Sequence, residues 1–313
     1  MKNKRLGVVM DPIAAIDYKK DSTLAMLLEA KMRGFTLFYF ELKDLFLSDG
    51  EPYGSARILD VFQDEQQWFS LQSPKVIALH DLSSILMRKD PPFNDAYYYS
   101  TYVLERAETL GVKVINRPVA LRNSNEKLLA TRFPDCTPPT LVTQSKQLLS
   151  EFCKAHDEIV CKPLGGMGGM DIFRIKNNDP NANVIFDVLT HSETQYIMAQ
   201  EFIPAIKDGD KRILMVNGEP VPYALARVPQ GDEWRGNLAV GAKGVVQPLT
   251  LRDAWIAERV GKYLKEAGLY FAGLDIIGDY LTEINVTSPT GIREIEKESG
   301  INVCAQLFDS VIS

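Results

Sequence analysis

Residues 162–169 read KPLGGMGG, a lysine and a proline followed by a short run that contains four glycines. The segment lies between two apolar runs typical of strands, EIVC at residues 158–161 and DIFRI at residues 171–175. Glycine needs a reason at such a place, because it loses more conformational freedom on folding than any other residue. The stretch therefore indicates either a loose hairpin tip or a loop whose backbone comes close to a ligand.

The order of residues in this stretch excludes two known phosphate-binding loops. A Walker loop has its lysine after the glycines and a helix behind it, whereas here Lys162 comes first and a strand follows. A dinucleotide-binding fingerprint would need a third glycine where Asp171 stands. Two interpretations remain. The stretch is either a hairpin whose backbone N–H groups close over phosphates, with Lys162 as a point charge, or a loose hairpin tip without a ligand.

The composition argues against several classes of protein. A chain of 313 residues, 45% of them hydrophobic, has room for two domains or for two and a small third. The net charge of −6 gives no support for a nucleic-acid or membrane partner. No apolar run has the length of a membrane span and the first residues do not resemble a signal peptide, so we expect a cytoplasmic protein. Scattered cysteines and three scattered histidines indicate neither a zinc knuckle, nor a disulfide framework, nor histidine-based catalysis.

Alternating strand and helix signals fill the first 120 or so residues. This order predicts a parallel sheet with helices on its faces and a ligand crevice at the carboxyl ends of the strands. Asp11 and Arg88 follow two such ends directly. The predicted strands lie at residues 6–10, 36–40, 83–87 and 112–116, and the predicted helices, the first of them amphipathic, at residues 22–33 and 96–110.

Composition changes mark further units along the chain. The proline-rich stretch FPDCTPPT at residues 133–140 follows a predicted helix at residues 125–132 and precedes a small α/β unit that ends near residue 202. The remainder is rich in hairpins, with one long helix at residues 251–267. We therefore expect an α/β and α+β protein with three units, residues 1–124, 125–202 and 203–313.

A candidate metal site lies in the run LDIIGDYLTEINVTSPT, residues 274–290. Glu283 and Asn285 stand two apart in a strand and so point to the same face. A three-residue loop at 278–280 would place Asp275 opposite Glu283 on that face, whereas a two-residue loop would turn it away. Two carboxylates and an amide oxygen suit Mg²⁺, although an ordinary polar strand face stays open as the alternative.

Cations form two further candidate features. Asn217-Gly218 predicts a two-residue hairpin that pairs Arg212 with Tyr223 and places Arg227 on the same face. Such arginines suit carboxylate or phosphate, although two solvated arginines are an alternative. Lys127 would lie in the first turn of a helix, where the helix dipole disfavours a cation. A nearby phosphate, or simple exposure of the side chain to solvent, would explain a lysine at this position.

Several motifs together resemble a known family. The chain closely resembles the bacterial glutathione synthetases, a family of the ATP-grasp superfamily, over essentially its whole length. Gly165 and Lys243 depart from the aspartate and the arginine that this family often has there. The motifs that carry the resemblance are MDPI (10–13), RKDPPF (88–93), NEKL (125–128), KPLGGMGG (162–169), QEFIPAIKDGDKR (200–212), RGNLAVGAKG (235–244) and LDIIGDYLTEINVTSPTGIREIE (274–296).

The resemblance implies roles for the three units and a set of site residues. The units would be an N-terminal, Rossmann-like substrate domain (1–124), a central lid subdomain (125–202) and a C-terminal catalytic subdomain (203–313). It implies Mg²⁺, with Mn²⁺ as an alternative, on Asp275, Glu283 and Asn285, and catalytic roles for Arg212 and Arg235. The ATP-binding residues would be Lys127 and Lys162 on the phosphates, Gly166, Met167, Gly168 and Gly169 in the lid, Gln200, Glu201, Phe202 and Ile203 around adenine, and Asp210. The substrate-binding residues would be Asp11, Arg88, Arg227, Asn237, Ser288, Pro289 and Thr290.

The resemblance also implies an activity. The cysteinyl carboxylate of γ-glutamylcysteine would attack the γ-phosphate of ATP, and glycine would capture the acyl phosphate to give glutathione, ADP and phosphate. The glycine stretch and residues 228–244 would then be mobile loops that close against water. A homotetramer without nucleic-acid or membrane partners is expected. Another ATP-grasp ligase, such as a D-alanine–D-alanine or protein-modifying glutamate ligase, and a non-catalytic nucleotide-binding protein stay as alternatives.

Overall fold

A computed structural model describes residues 4–166, 168–231, 233–236 and 241–312. These residues form three sheets and eight α-helices. Within them, no helix is both long and apolar enough to cross a membrane. The four cysteines are buried free thiols.

The N-terminal sheet combines parallel and antiparallel strands. Its order is β3-β4-β2-β1-β7-β8, with β5 and β6 also paired to β4. The predicted parallel pairing is confirmed for β2-β1-β7-β8, but the antiparallel strands at residues 45–78, which all pair with β4, were not predicted. Burial alternates along β4, but its proline, glycine and charged residues do not give the apolar alternation from which a strand is predicted. The strands are β1 Arg5–Met10, β2 Thr36–Phe40, β3 Leu45–Ser48, β4 Glu51–Val61, β5 Phe69–Leu71, β6 Lys75–Ala78, β7 Ser84–Arg88 and β8 Lys113–Ile115.

Three helices accompany this sheet, α1 Ser22–Met32, α2 Asp95–Thr109 and α3 Pro118–Arg122. Asp21 caps α1, because its side chain accepts a hydrogen bond of 2.5 Å from the Leu24 N–H. The prediction of an amphipathic α1 was wrong, since every residue from Ser22 to Ala30 is buried. Two helices from the C-terminal part of the chain, at residues 292–299 and 303–311, pack against α1.

The central sheet joins four antiparallel strands in the order β11-β10-β12-β9. The glycine stretch connects β10 to β11, so the predicted strand-loop-strand hairpin is confirmed. A separate core of nine buried residues, all between Leu149 and Ala199, supports this sheet. Its elements are β9 Thr140–Thr143, α4 Lys146–His156, β10 Glu158–Pro163, β11 Phe173–Lys176, α5 Ala182–Leu189 and β12 Ile197–Glu201.

The C-terminal sheet is antiparallel, in the order β15-β14-β13-β16-β17. Helix α6 has the predicted bounds, with a capping box between Thr250 and Asp253 at its start and Gly268 in the left-handed region at its end. The elements are β13 Asp210–Val216, β14 Glu219–Val228, β15 Lys243–Pro248, α6 Leu251–Ala267, β16 Phe271–Ile277, β17 Tyr280–Asn285, α7 Ile292–Ser299 and α8 Val303–Val311.

The N-terminal and C-terminal sheets share their packing. Two large clusters of buried apolar side chains each contain residues from both sheets. Asn116, directly after β8, donates from Nδ2 to the carbonyl oxygens of Phe271 and Val286 at 2.7 Å each. Its Oδ1 accepts from the Phe271 N–H at 2.8 Å. The two sheets are therefore fixed to each other by apolar packing and by buried hydrogen bonds.

Candidate active site

The central and C-terminal sheets, together with Asp90 and Pro91 after β7, line a cavity of about 230 Å³, called the main cavity below. The C-terminal sheet supplies charged side chains to one wall, and the central sheet supplies the glycine stretch to another. Cations and carboxylates both line it, among them Lys127, Lys162, Arg212, Arg227, Asp275 and Glu283.

The register of the C-terminal sheet brings these charges to one face. Asp210 of β13 pairs with Arg227 of β14, and Arg212 of β13 pairs with Asp275 of β16. Asp275 in turn pairs with Glu283 of β17. Directly paired residues lie on the same face of a sheet, as do residues two apart in a strand. One sheet face therefore presents two arginines and three carboxylates.

The hairpin of β16 and β17 reaches this register by an unexpected route. Of the two loop lengths considered, the structure has the two-residue loop, in which Ile277 pairs with Tyr280. Regular pairing would then turn Asp275 away, but the register shifts by one residue at Thr282, and this β-bulge places Asp275 opposite Glu283 on the expected face. Lys162 Nζ donates to the Thr282 carbonyl oxygen at 3.3 Å.

The hairpin of β13 and β14 also departs from simple pairing. The two-residue turn is confirmed, with positive φ at Asn217 and Gly218. Arg212, however, pairs with Leu225, and the predicted partner Tyr223 was wrong. β14 carries two prolines, Pro220 and Pro222, which have no N–H for a regular ladder. Because the shift is by two residues, Arg212 and Arg227 keep the same face.

Asp275 is the centre of the charged face. Its carboxylate accepts from Arg212 Nε at 2.6 Å and Nη2 at 3.1 Å, and it lies 3.1 Å from Arg227 Nη2. Asn285 Nδ2 donates to the same carboxylate at 3.1 Å. Burial alone would raise the pKa of Asp275, but the two guanidinium groups hold that pKa below its usual value. These contacts exclude the alternative of two solvated arginines.

Asp210 has a different environment on the same face. One of its oxygens accepts from Arg227 Nη2 at 2.5 Å, whereas Oδ1 is buried and has no hydrogen-bond partner in the described part of the chain. Burial raises the pKa of Asp210 in spite of the arginine. Asp210 lies in the wall of a neighbouring cavity of about 100 Å³, together with Trp234 and the four residues predicted to surround adenine, 200–203.

The predicted metal ligands fit a hard cation in their chemistry. Asp275, Glu283 and Asn285 lie together on one face and offer carboxylate and amide oxygens. The Asp275 carboxylate is shared with both arginines, whereas the Glu283 side chain is about 22% exposed and has Lys127 Nζ 3.4 Å from its Oε1. A cation would therefore meet Glu283 as the more open of the two carboxylates.

The two predicted phosphate-binding lysines lie close to the glycine stretch and the charged face. Lys127 Nζ donates to the Gly166 carbonyl oxygen at 2.6 Å and is buried, so simple exposure does not explain it. The prediction of a helix from residue 125 was wrong, because a 3₁₀ turn begins only at Leu128. Lys162 is also buried, and burial lowers the pKa of its amine. Gly168 and Gly169 line the main cavity.

The remaining predicted site residues differ in whether they line the main cavity. Arg235 Nη1 donates to the Gly169 carbonyl oxygen at 2.7 Å. Ser288, Pro289 and Thr290 line the main cavity, and Arg88 lies behind this turn, donating to the Pro289 carbonyl oxygen at 3.0 Å.

Asp11 pairs with Lys89 at 2.9 Å rather than lining the described wall of the main cavity. Met167 and Asn237 lie outside the described residues, as do residues 232 and 238–240 of the second predicted loop.

Comparison with known proteins identifies the family. A family model described as the prokaryotic glutathione synthetase ATP-grasp domain matches residues 126–300. The model of the N-terminal domain of the same family matches residues 5–122. The chain belongs to the prokaryotic glutathione synthetase family. The resemblance drawn from the sequence motifs is thereby confirmed.

Individual glutathione synthetases agree with this assignment. The chain is 56% identical over 307 residues to glutathione synthetase of Pseudomonas aeruginosa, covering 98% of this chain and 97% of that one. It is 55% identical over 307 residues to glutathione synthetase of Escherichia coli K12, with the same coverages.

Solved structures of other proteins share the fold. They include D-cycloserine synthetase DcsG, with a TM-score of 0.68, 13% identity and coverage of 98% of this chain and 99% of that one. The ATP-grasp ligase PsnB, complexed with minimal precursor, gives 0.65 at 19% identity, covering 100% and 99%. At these identities the likeness concerns the fold alone, and the predicted ATP-grasp fold is confirmed.

Glu126 lines the main cavity, and the sequence argument missed it. Its Oε1 accepts from the N–H groups of Val286 and Thr287 at 2.8 and 2.9 Å, and from Thr287 Oγ1 at 2.8 Å. These contacts fix the strand end that leads to the Ser288–Thr290 turn. Glu126 stands in the motif NEKL, but no spacing rule connects it to residues 160 positions later.

Proposed function

We infer that the protein is an ATP-dependent ligase that joins γ-glutamylcysteine to glycine and releases glutathione, ADP and phosphate. The observation that carries this inference is membership of the prokaryotic glutathione synthetase family over both of its domains. Identity of 55–56% over 98% of the chain supports a shared reaction as well as a shared fold.

The reaction has two chemical steps. An oxygen of the cysteinyl carboxylate attacks the γ-phosphorus of ATP, and the bond from that phosphorus to the ADP oxygen breaks. The amine of glycine then attacks the acyl carbon, a C–N bond forms, and phosphate leaves with the former carboxylate oxygen while the amine loses a proton. Neither step needs a protein nucleophile, because positioning and neutralisation of charge provide most of the catalysis.

The cavity contacts suggest roles for its cations and carboxylates. Lys127 and Lys162 would bind the ATP phosphates as buried point charges beside the glycine stretch. Arg212 and Arg227, held in place by Asp275, would bind anionic groups of the dipeptide and the transferring phosphate. Mg²⁺, or Mn²⁺ in its place, would lie on Asp275, Glu283 and Asn285 and neutralise charge on phosphate oxygens when bound.

The neighbouring cavity suits the nucleobase and ribose of ATP. Phe202 and Trp234 provide an apolar wall with ring centroids 6.3 Å apart, and Gln200 provides a polar group. The free Oδ1 of Asp210 can accept a hydrogen bond from a hydroxyl group. Pockets of this kind, mostly apolar with few polar groups, are typical of cofactor sites.

The glycine stretch would act as a lid over the acyl phosphate, which water hydrolyses readily. Arg235 joins this stretch to residues 233–236 through the Gly169 carbonyl oxygen, so the two segments would close together. A division into domains at residues 1–124, 125–202 and 203–313, a homotetramer and a cytoplasmic location stay predictions.

Phosphate release assayed against a panel of substrates tests the proposed function. The protein should release phosphate from ATP with γ-glutamylcysteine and glycine together, and form one peptide bond per phosphate. D-alanine alone, or a protein C-terminus with glutamate, should give none. Turnover with D-alanine, or with a protein C-terminus and glutamate, would assign the protein to another class of ATP-grasp ligase if γ-glutamylcysteine and glycine gave none.

A further inference from the structure

Residues 233–236, called the linking segment below, contact three separate parts of the candidate site. Trp234 lies in the wall of the neighbouring cavity, which suits the nucleobase. Arg235 donates to the glycine stretch, and Gly236 packs on the charged face. Three consecutive residues thus connect the space for the base with the loop and the sheet face that enclose the main cavity.

Trp234 contacts the neighbouring cavity through Phe202. The two ring centroids are 6.3 Å apart and the planes meet at 69°, which is an edge-to-face pair. Phe202 is held by the central sheet, because Arg174 Cζ lies 3.7 Å from its ring centroid and the Glu158 carbonyl oxygen accepts from its N–H at 2.9 Å. The Glu158 carboxylate in turn accepts from Arg174 at 2.7 and 3.0 Å. Phe202 is therefore a fixed wall, whereas Trp234 contacts it through a single ring pair.

The Arg235 side chain is fixed within the linking segment. The Glu233 carboxylate accepts from Arg235 Nε at 2.9 Å and from Nη2 at 2.7 Å, and it also accepts from the Arg235 N–H at 2.9 Å. Nη1 makes the contact outside the segment, 2.7 Å from the Gly169 carbonyl oxygen. A displacement of the linking segment would therefore remove this guanidinium group from the glycine stretch.

Gly236 fixes one end of the linking segment. A β-carbon at this position would lie 2.6 Å from Asp210 Cβ and 3.0 Å from the Arg227 carbonyl oxygen, closer than a side chain can approach without a shift. The backbone of residue 236 therefore packs directly on the charged face, which needs a glycine. With this end fixed, the position of Trp234 decides where Arg235 lies.

We propose that Trp234 is a positioning residue, through which the nucleobase of ATP holds Arg235 on the glycine stretch. A flat base in the neighbouring cavity packs against the indole and stabilises the linking segment, whereas a triphosphate without a base leaves Trp234 with Phe202 alone. This role rests on the proposed function and extends it. The base then controls the protection of the acyl phosphate as well as the affinity for ATP.

Loss of the contact between base and indole should uncouple ATP consumption from peptide bond formation. Water that reaches the acyl phosphate attacks it, returns the dipeptide with its free carboxylate and releases phosphate, so that no C–N bond forms. The number of phosphates released per glutathione formed therefore reports the position of the linking segment. A residue that only lined the cavity would change the KM for ATP and leave this ratio at one.

Trp234→Ala removes the indole. At saturating ATP, dipeptide and glycine we expect roughly two or more phosphates per glutathione, and a KM for ATP raised roughly three- to tenfold by the loss of one aromatic contact. Trp234→Phe keeps an aromatic ring and should return the ratio to near one. Trp255→Ala is the matched control, because Trp255 packs on Arg252 in α6 and lies outside the walls of the main and neighbouring cavities. It should leave both values unchanged.

Fluorescence separates the base from the phosphates without any turnover. The chain has three tryptophans, so a variant with Trp68→Phe and Trp255→Phe retains Trp234 as its one reporter. A non-hydrolysable ATP analogue should shift the emission to shorter wavelength, because the base covers the indole. Tripolyphosphate, at concentrations that compete with ATP in turnover, should leave the emission unchanged.

Three results would overturn this role of Trp234. A Trp234→Ala variant with a raised KM for ATP and one phosphate per glutathione would make the indole a wall of the cavity and nothing more. Equal excess of phosphate from the alanine and phenylalanine variants would mean that an aromatic contact does not position the segment. An equal emission shift with tripolyphosphate and with the ATP analogue would assign the control to the phosphates.

Failure of the proposed function would look different. A wild-type protein that forms no glutathione from ATP, γ-glutamylcysteine and glycine would overturn that function. The emission shift with the ATP analogue would still show whether the base contacts Trp234, since it needs no ligation.

Discussion

The C-terminal sheet and the central sheet face each other across the main cavity, and they are held in very different ways. The C-terminal sheet shares two large apolar cores with the N-terminal sheet, and its charged face is locked by buried contacts around Asp275. The central sheet has its own core of nine buried residues. Its glycine stretch meets the rest of the molecule through single hydrogen bonds to backbone oxygens, such as that from Lys127 to Gly166.

The two sheets are held differently because the proposed reaction requires different properties of them. Groups that neutralise charge must keep fixed positions, and strands packed on both sides provide them. A loop that closes over ATP must also open, and a unit with few contacts to its surroundings can do so at a small cost in free energy. The charged face should therefore respond to substitution in stability and activity, and the glycine stretch mainly in activity.

Arg212→Met should have the largest effect. It leaves the Asp275 carboxylate buried with only Arg227 and Asn285 as partners, which we expect to lower the free energy of unfolding by about 3–5 kcal/mol and to abolish ligation. Chemical denaturation measures the first and phosphate release the second. Arg235→Met is the control for stability, because the pair of Arg235 and Glu233 is partly exposed and contributes only about 0–1 kcal/mol. Equal stabilities of the two variants would contradict a locked charged face.

Glu283→Gln should separate activity from stability on the same face. Because a metal ion supplies several kcal/mol of charge stabilisation, we expect turnover at ordinary Mg²⁺ to fall by roughly 100-fold. The free energy of unfolding should change by less than about 1 kcal/mol, since Glu283 is only partly buried. A Mg²⁺ titration of turnover is the measurement, and Glu158→Gln in the surface pair with Arg174 is the control. Near-normal turnover would remove Glu283 from the metal site.

Gly168→Ala should have the smallest effect. Gly168 has φ of +66°, where a β-carbon costs about 1–2 kcal/mol, although no atom obstructs it. We expect kcat/KM for ATP to fall by roughly five- to tenfold because the glycine stretch closes less readily. Gly50→Ala is matched in strain, with φ of +79° in the turn between β3 and β4, and should leave activity unchanged. If both variants lowered activity equally, the glycine stretch would have no special part in closure.

Local patterns predicted the elements of the site better than their connections. The parallel strands, the glycine hairpin and the common face of Glu283 and Asn285 follow from spacing and propensity. The bulge at Thr282 and the irregular pairing after Pro220 do not, because a change of register costs little locally and is decided by the neighbouring strands. Contacts such as that of Glu126 with Thr287 join segments far apart in sequence, so only the folded chain reveals them.

Transfer of ¹⁸O tests the central claim most directly. γ-Glutamylcysteine labelled in its cysteinyl carboxylate should give, with ATP and glycine, phosphate that contains one labelled oxygen for each glutathione formed. The label moves because the carboxylate oxygen attacks phosphorus and then leaves with the phosphate. Glutathione formed together with unlabelled phosphate would contradict ligation through an acyl phosphate on the charged face.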